Sequence, residues 1–202
     1  MTLVEETTPG TDTLPVAALR AHLRLGSGFE VAADHAEEAA LAGFLRAAIA
    51  TIEARTGKVL LERVFRLRLS DWRDRLGQPL PLAPVQAVEA VEIEDGLGNS
   101  DLVDPALYRL VRCDQRPMLA PAGVILPHVP RLGSVTVRFR AGFGATWDAV
   151  PADLAQAVML LATRYYEDRS FEGSASAMPF GVSALIERWR SVRLMAGRGV
   201  AR

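Results

Sequence analysis

The chain has one cysteine, Cys113, so it has no internal disulfide and no cysteine-built metal cluster. Its three histidines, His22, His35 and His128, lie far apart and in no ligand-like spacing. Neither the H-E-x-x-H nor the G-x-S-x-G pattern occurs. No apolar run is long enough to span a bilayer. The first 14 residues are polar and acidic, with Glu5, Glu6 and Asp12, unlike the basic start and apolar centre of a secretion signal. A soluble protein made in the cytoplasm, with no membrane partner, is expected. Lysine is nearly absent: Lys58 stands alone beside many arginines, as in an arginine-favouring, GC-rich genome. The formal net charge is −1, which excludes a surface that grips nucleic acid all over.

What is present is apolar material for a core: half of 202 residues, enough for one domain of ordinary size. Residues 1–12 read as a flexible leader. A short helix is expected over 14–25, with Val16, Leu19 and Leu23 on one side. A second is expected over 35–56, where Asp34 and Glu37 have capping-box spacing. Leu41, Phe44, Leu45, Ala48, Ile49 and Ile52 make its stripe, and Gly57 stands at the C-terminal cap.

The middle, about 59–145, reads as β. Phe65, Leu67 and Leu69 alternate with Arg66 and Arg68, and Val135, Val137 and Phe139 with Thr136, Arg138 and Arg140. The proline-rich run 79–84 reads as an edge or connection, because proline donates no ladder hydrogen bond. After Gly142-Phe143-Gly144, Pro151 sits where a first helical residue belongs, and a helix is expected over 151–169. Leu154, Val158, Leu161 and Tyr165 form its apolar face. A last helix over 182–194 carries Leu185, Trp189 and Val192, followed by a flexible C-terminal segment over 195–202. The expected fold is α+β but mainly helical. Two N-terminal and two C-terminal helices pack as a bundle, with a central β-strand insertion and an extended basic C-terminal tail.

The search for chemistry returns little. The Gly142-Phe143-Gly144 turn lacks the third glycine and following lysine of a phosphate cradle. Asp71 and Asp74 flank Trp72 in a charged loop; two acids there fit a small hydrolase only if they converge in a pocket. Trp72 suits an interface anchor instead. Tyr166, Glu167 and Arg169 close the third helix. The rim of its own core and a subunit contact are equally open readings for them. After Gly173 the only acid is Glu187, while Arg188, Arg190, Arg193, Arg198 and Arg202 crowd the end. A DNA-binding protein using this arginine-rich end is the alternative, although Pro151, Ala152 and Asp153 are poor groove readers at the start of the third helix. No catalytic residue, cofactor site or metal site is expected.

Several stretches, in their order and spacing, carry a resemblance. They are A-A-L-R-A-H-L-R-L; I-E-A-R-T-G-K-V-L; L-P-L-A-P-V-Q-A-V-E-A-V; V-T-V-R-F-R-A-G-F-G with V-P-A-D-L-A-Q-A-V-M-L-L-A; and Y-Y-E-D-R with M-P-F-G-V-S-A-L-I-E-R-W-R. From about Leu14 to Leu194 the chain resembles the head–tail connector (adaptor) proteins of long-tailed bacteriophages and gene transfer agents. That resemblance implies a structural protein of a virion or virus-like particle, assembled in the host cytoplasm as a ring of roughly twelve copies under the portal. Such a ring extends the channel for double-stranded DNA and seats the stopper or tail-completion protein. It implies no enzyme activity. The portal-docking residues it implies here are Trp189, Arg190, Arg193, Leu194, Arg198 and Arg202. Trp72, Tyr166, Glu167 and Arg169 are the expected subunit contacts.

Overall fold

The computed structural model describes residues 1–25, 31–168 and 178–190. In chain order the elements are β1 (Thr2–Glu5), α1 (Val16–His22), α2 (Val31–Thr56), β2 (Arg63–Leu69), β3 (Gln78–Pro79) and β4 (Val85–Glu94). Then come β5 (Ser100–Leu102), β6 (Tyr108–Val111), β7 (Met118–Pro121), β8 (Ser134–Ala141), α3 (Ala152–Glu167) and α4 (Phe180–Ile186). A 3-10 turn, Glu187–Trp189, continues α4. No helix among the described residues is long and apolar enough to cross a membrane.

The helices pack as their stripes dictate. Leu41, Leu45, Ala48 and Ile52 of α2 are fully or almost fully buried against Leu154, Ala157, Val158 and Leu161 of α3. Leu19 of α1 and Val182 and Ile186 of α4 close the same core. Helix α2 begins at Val31, so Asp34 lies inside it rather than capping it. It ends where Gly57 takes a φ of +68° and its N–H bonds back to the carbonyl of Glu53. Pro151 stands one residue outside α3, in the N-cap position.

The strands form two antiparallel sheets, in the orders β1-β2-β8-β4-β5 and β3-β7-β6. The inward residues of the first, Phe65, Leu67, Val91, Val135, Val137 and Phe139, build a second core with Trp72, Leu119, Leu126 and Val129. Among the described residues this core holds fifteen buried apolar side chains, against eighteen in the helical one. The protein is therefore not a mainly helical bundle with a projecting insertion, as the sequence led us to expect. It is a mixed α+β fold in which the sheets bury a core of their own. The sequence conceals this, because most of the strands are short and no strand alone carries more than four buried apolar side chains.

The expected leader is also ordered in part. Thr2–Glu5 pair antiparallel with β2, from Thr2 opposite Arg68 to Glu5 opposite Phe65. All four residues are exposed, so no periodicity marks them; the strand is held by backbone bonds and ion pairs.

Strand β8 leaves the sheet through Gly142, at a φ of +139°. A Cβ there would lie 2.4 Å from the Cα of Glu62. Only glycine permits two backbones to cross so closely. We predict that Gly142→Ala lowers stability by at least about 2 kcal/mol, from backbone strain plus overpacking. Gly43→Ala, on the open face of α2 with nothing within 4 Å, should instead raise it by about 0.5–1 kcal/mol. Urea midpoints of the two variants check both signs.

Candidate functional site

A cluster of polar and aromatic side chains gathers where the described chain ends. Helix α3 starts with Asp153 in its first turn, where the helix macrodipole favours an anion. The Asp153 Oδ1 atom accepts the N–H of Leu154 at 3.0 Å. Its Oδ2 atom accepts the indole N–H of Trp189 at 2.6 Å and the Nε–H of Arg188 at 2.6 Å. The Arg188 guanidinium lies 4.7 Å from the centre of the Trp189 ring. Phe143 meets that ring edge-on, with centroids 5.5 Å apart and planes at 84°. Partial burial pushes the Asp153 carboxyl upward. Hydrogen bonds from Trp189, Arg188 and the Leu154 N–H, with the Arg188 charge, outweigh it and hold the group below its ordinary value.

The arrangement is a latch. It clamps the end of the α4 segment to the start of α3 and to the crossing after β8. It thereby fixes the point from which residues 191–202 leave. Trp189 is half-buried and already engaged, so it anchors this segment to its own chain. Arg190, the next residue, is exposed and 3.2 Å from Glu187. Arg193, Leu194, Arg198 and Arg202 lie outside the described residues, as does Arg169.

The expected subunit contacts separate. Trp72 is buried in the sheet core, with its indole N–H donated to the carbonyl of Pro127 at 2.7 Å, so it is not available as an exposed anchor. The charges around it hid this: Asp71 and Asp74 are exposed; Asp71 accepts the N–H of Trp72 at 2.8 Å, and Asp74 closes a turn by accepting the N–H of Leu76 at 2.9 Å. They do not converge on a pocket. Tyr166 packs edge-on against Phe44 at 5.9 Å, and Glu167 is exposed. His22 and His35 are exposed, and His128 Nδ1 lies 2.6 Å from Arg75. Among the described residues, no three His, Cys, Asp or Glu side chains group so as to hold a metal.

The outer face of the larger sheet carries four arginines, and each meets a carboxylate. Arg66 and Arg138 share Glu6 at 3.2 and 2.7 Å, Arg138 and Arg140 share Glu89 at 2.8 and 3.7 Å, Arg140 also reaches Glu62 at 3.4 Å, and Arg68 meets Glu94 at 2.8 Å. This face is a neutralised ladder rather than a basic stripe.

Sequence reasoning missed Asp153 and Phe143 as partners of Trp189. An acid just after a Val-Pro helix start is the sole local signal, and nothing in the sequence ties it to a tryptophan 36 residues away. The folded pKa of Asp153 lies below the unfolded one. Its stabilisation is therefore complete above about pH 4 and fades as the pH falls further. We predict that Asp153→Asn costs about 1–2 kcal/mol at pH 7. The loss should shrink toward pH 3, as measured by thermal melts across pH.

No protein-family model matches the chain, and no curated protein matches it. Among solved structures, a chain from the neck of an empty gene transfer agent (GTA) particle, computed with C6 symmetry, superimposes with a TM-score of 0.88 at 52% identity, covering 98% of this chain and 100% of that one. A chain from the virion of a native GTA particle gives 0.85 at 51% identity, with the same coverage. A chain from the neck of a native GTA particle, computed with C12 symmetry, gives 0.82 at 47% identity, again covering 98% and 100%. Half of all positions agree over both full lengths, and the folds superimpose. The chain belongs to the same family as these proteins of the gene transfer agent neck.

Proposed function

We propose that this protein is a head–tail connector, or adaptor, of a phage-like gene transfer agent particle. About twelve copies form a closed ring that docks on the portal, extends the channel for double-stranded DNA and seats the stopper or tail-completion protein. The observation that carries this reading is the full-length relationship, at about half identity, to chains of GTA necks computed with C6 and C12 symmetry. The role is structural rather than enzymatic. Neither the sequence motifs nor the carboxylates of the Asp71 loop supply a nucleophile, a base or a shared pocket.

The fold supports a part with two different ends. Strand β8 runs eight residues from the turn at Gly133 toward the helices, a span of about 26 Å. The hairpin turns sit at its start, and the helix layer with the root of residues 191–202 lies beyond its end. A connector needs this axial asymmetry, because its two neighbours differ. The portal-facing residues in this reading are Arg190, Arg193, Leu194, Arg198 and Arg202, with Trp189 positioning the segment through its bond to Asp153. Tyr166, Glu167 and Arg169 remain candidates for contact between copies at the end of α3. The ring's arginines need not grip DNA: those of the sheet face are already neutralised.

Deleting residues 197–202 should weaken portal attachment without unfolding the core. Replacing Arg190, Arg193 and Arg198 with Gln should weaken it most at low salt, because exposed charges are screened within about 10 Å at 0.1 M salt. Co-sedimentation with portal-bearing, tail-less heads measures both. Undiminished binding of both variants would remove the C-terminal segment from the docking surface.

A further inference from the structure

The end of the larger sheet away from the helices carries a pair of bare leucines. Strand β4 reaches that end at Glu94, and β8 leaves it from the opposite residue, Ser134. Two turns project beyond this last pairing, residues 95–99 and 130–133. They touch one another. A Cβ on Gly96 would lie 3.2 Å from the Cβ of Leu132, and one on Gly133 would strike the carbonyl oxygen of Glu94. Leu97 in the first turn and Leu132 in the second are each 89% exposed. Leu102, on the second arm of the same hairpin, is 76% exposed.

Both leucines are presented by closed turns. Asp95 Oδ1 accepts the N–H groups of Leu97 and Asn99 at 2.8 and 2.9 Å, and Oδ2 accepts the Asn99 side-chain amide at 2.8 Å. The carboxylate is thus spent inside its own turn. The second turn closes through the Gly133 N–H, donated to the carbonyl of Pro130 at 3.0 Å. Its third residue is Leu132, at a φ of +63°. Glycine or asparagine fills that position with least cost, and a bulky side chain there is strained. The Leu132 side chain gives nothing back to its own fold, because it enters neither core. Strain of this kind collects at functional surfaces.

We propose that Leu97 and Leu132 form an apolar knob that seats in a hydrophobic socket on the neck protein following this ring on the tail side. Placement names the occupant. Phe143, just past the far end of β8, packs on Trp189 and so marks the root of residues 191–202. The portal-facing residues of the connector reading leave from that root. The knob sits at the start of β8, about 26 Å away, and faces the other neighbour. Cyclic symmetry sets the knobs of all copies at one level, as a circle of equivalent apolar points. Each knob is convex, so the same knob on the next copy gives it nothing to fit into. This inference rests on the connector reading and adds the surface on which the next neck protein sits.

Leu132→Gly separates a docking role from a structural one. It removes the side chain and relieves the backbone, so the purified variant should melt no lower than the unaltered chain. A lower melting temperature would assign Leu132 to its own fold and overturn the proposal. Particles are then assembled with Leu97→Ser and Leu132→Gly together, and their neck proteins are counted by mass spectrometry. This chain should remain on the portal in normal amount, while the next neck protein falls about tenfold. Normal amounts of both would overturn the knob. Loss of this chain from the portal, at an unchanged melting temperature, would overturn the partner, because the knob would then join copies or touch the portal. Leu97→Ser alone covers failure of the double variant to fold: it should lower the next neck protein too, and a normal amount would contradict the proposal. Unaltered particles whose necks hold no ring of this chain would remove the connector reading, and this inference with it.

Discussion

The ion pair between Glu53 and Arg63 is the joint on which the two halves of this fold depend. Glu53 lies in the last turn of α2, beside the helical core, and Arg63 begins β2, whose inward side chains enter the sheet core. Both Glu53 oxygens lie 2.5 Å from the Arg63 guanidinium, and Oε1 also accepts the Leu60 N–H at 2.7 Å. The other arm of Arg63 reaches Glu5 at 3.0 Å, so the same cation holds the end of β1. Burial pushes the Glu53 carboxyl above its ordinary range against the pull of Arg63. Either charge alone in that seam would cost several kcal/mol, so the partners have little freedom to slide past one another. Lys58 works beside them. The only lysine of the chain is almost completely buried and donates to the carbonyl of Asp114 and to Gln115 Oε1, the latter at 3.0 Å. Desolvation lowers its pKa. These bonds tie the β6–β7 loop to the end of α2.

Much of this architecture was legible in the sequence. The stripe from Leu41 to Ile52, the alternation of Phe65, Leu67 and Leu69, and that of Val135, Val137 and Phe139 mark elements whose inward faces are set by burial. Where burial does not set the pattern, the sequence was silent. Strand β1 buries nothing and exists because β2 offers it a ladder. The burial of Trp72 is not legible because charged neighbours in sequence are not neighbours in space; its ring turns inward while Asp71 and Asp74 stay exposed. The share of β structure is hard to read because the sheet core forms only once short strands and the loops between them come together. The latch at Asp153 escaped notice for the same reason: its parts come from three separate segments.

The site has the physics of a mount rather than of a catalyst. Asp153, Arg188, Trp189 and Phe143 are partnered with one another, and what they fix is the origin of a basic C-terminal segment. The arginines of the sheet face are paired in turn with Glu6, Glu62, Glu89 and Glu94, which neutralises that face. Two separately cored layers, one joint between them and an anchored last turn at Trp189 are properties suited to a ring that must transmit contact between a head and a tail.

The central claim is that this chain forms a closed ring in the neck of a particle. Cryo-electron microscopy of the neck, in particles purified from cells that make this chain, tests it most directly. The account predicts density that this α+β fold fits, repeated around the channel as a closed cyclic ring between head and tail. A neck without this chain, or one holding it as isolated copies, would contradict the account.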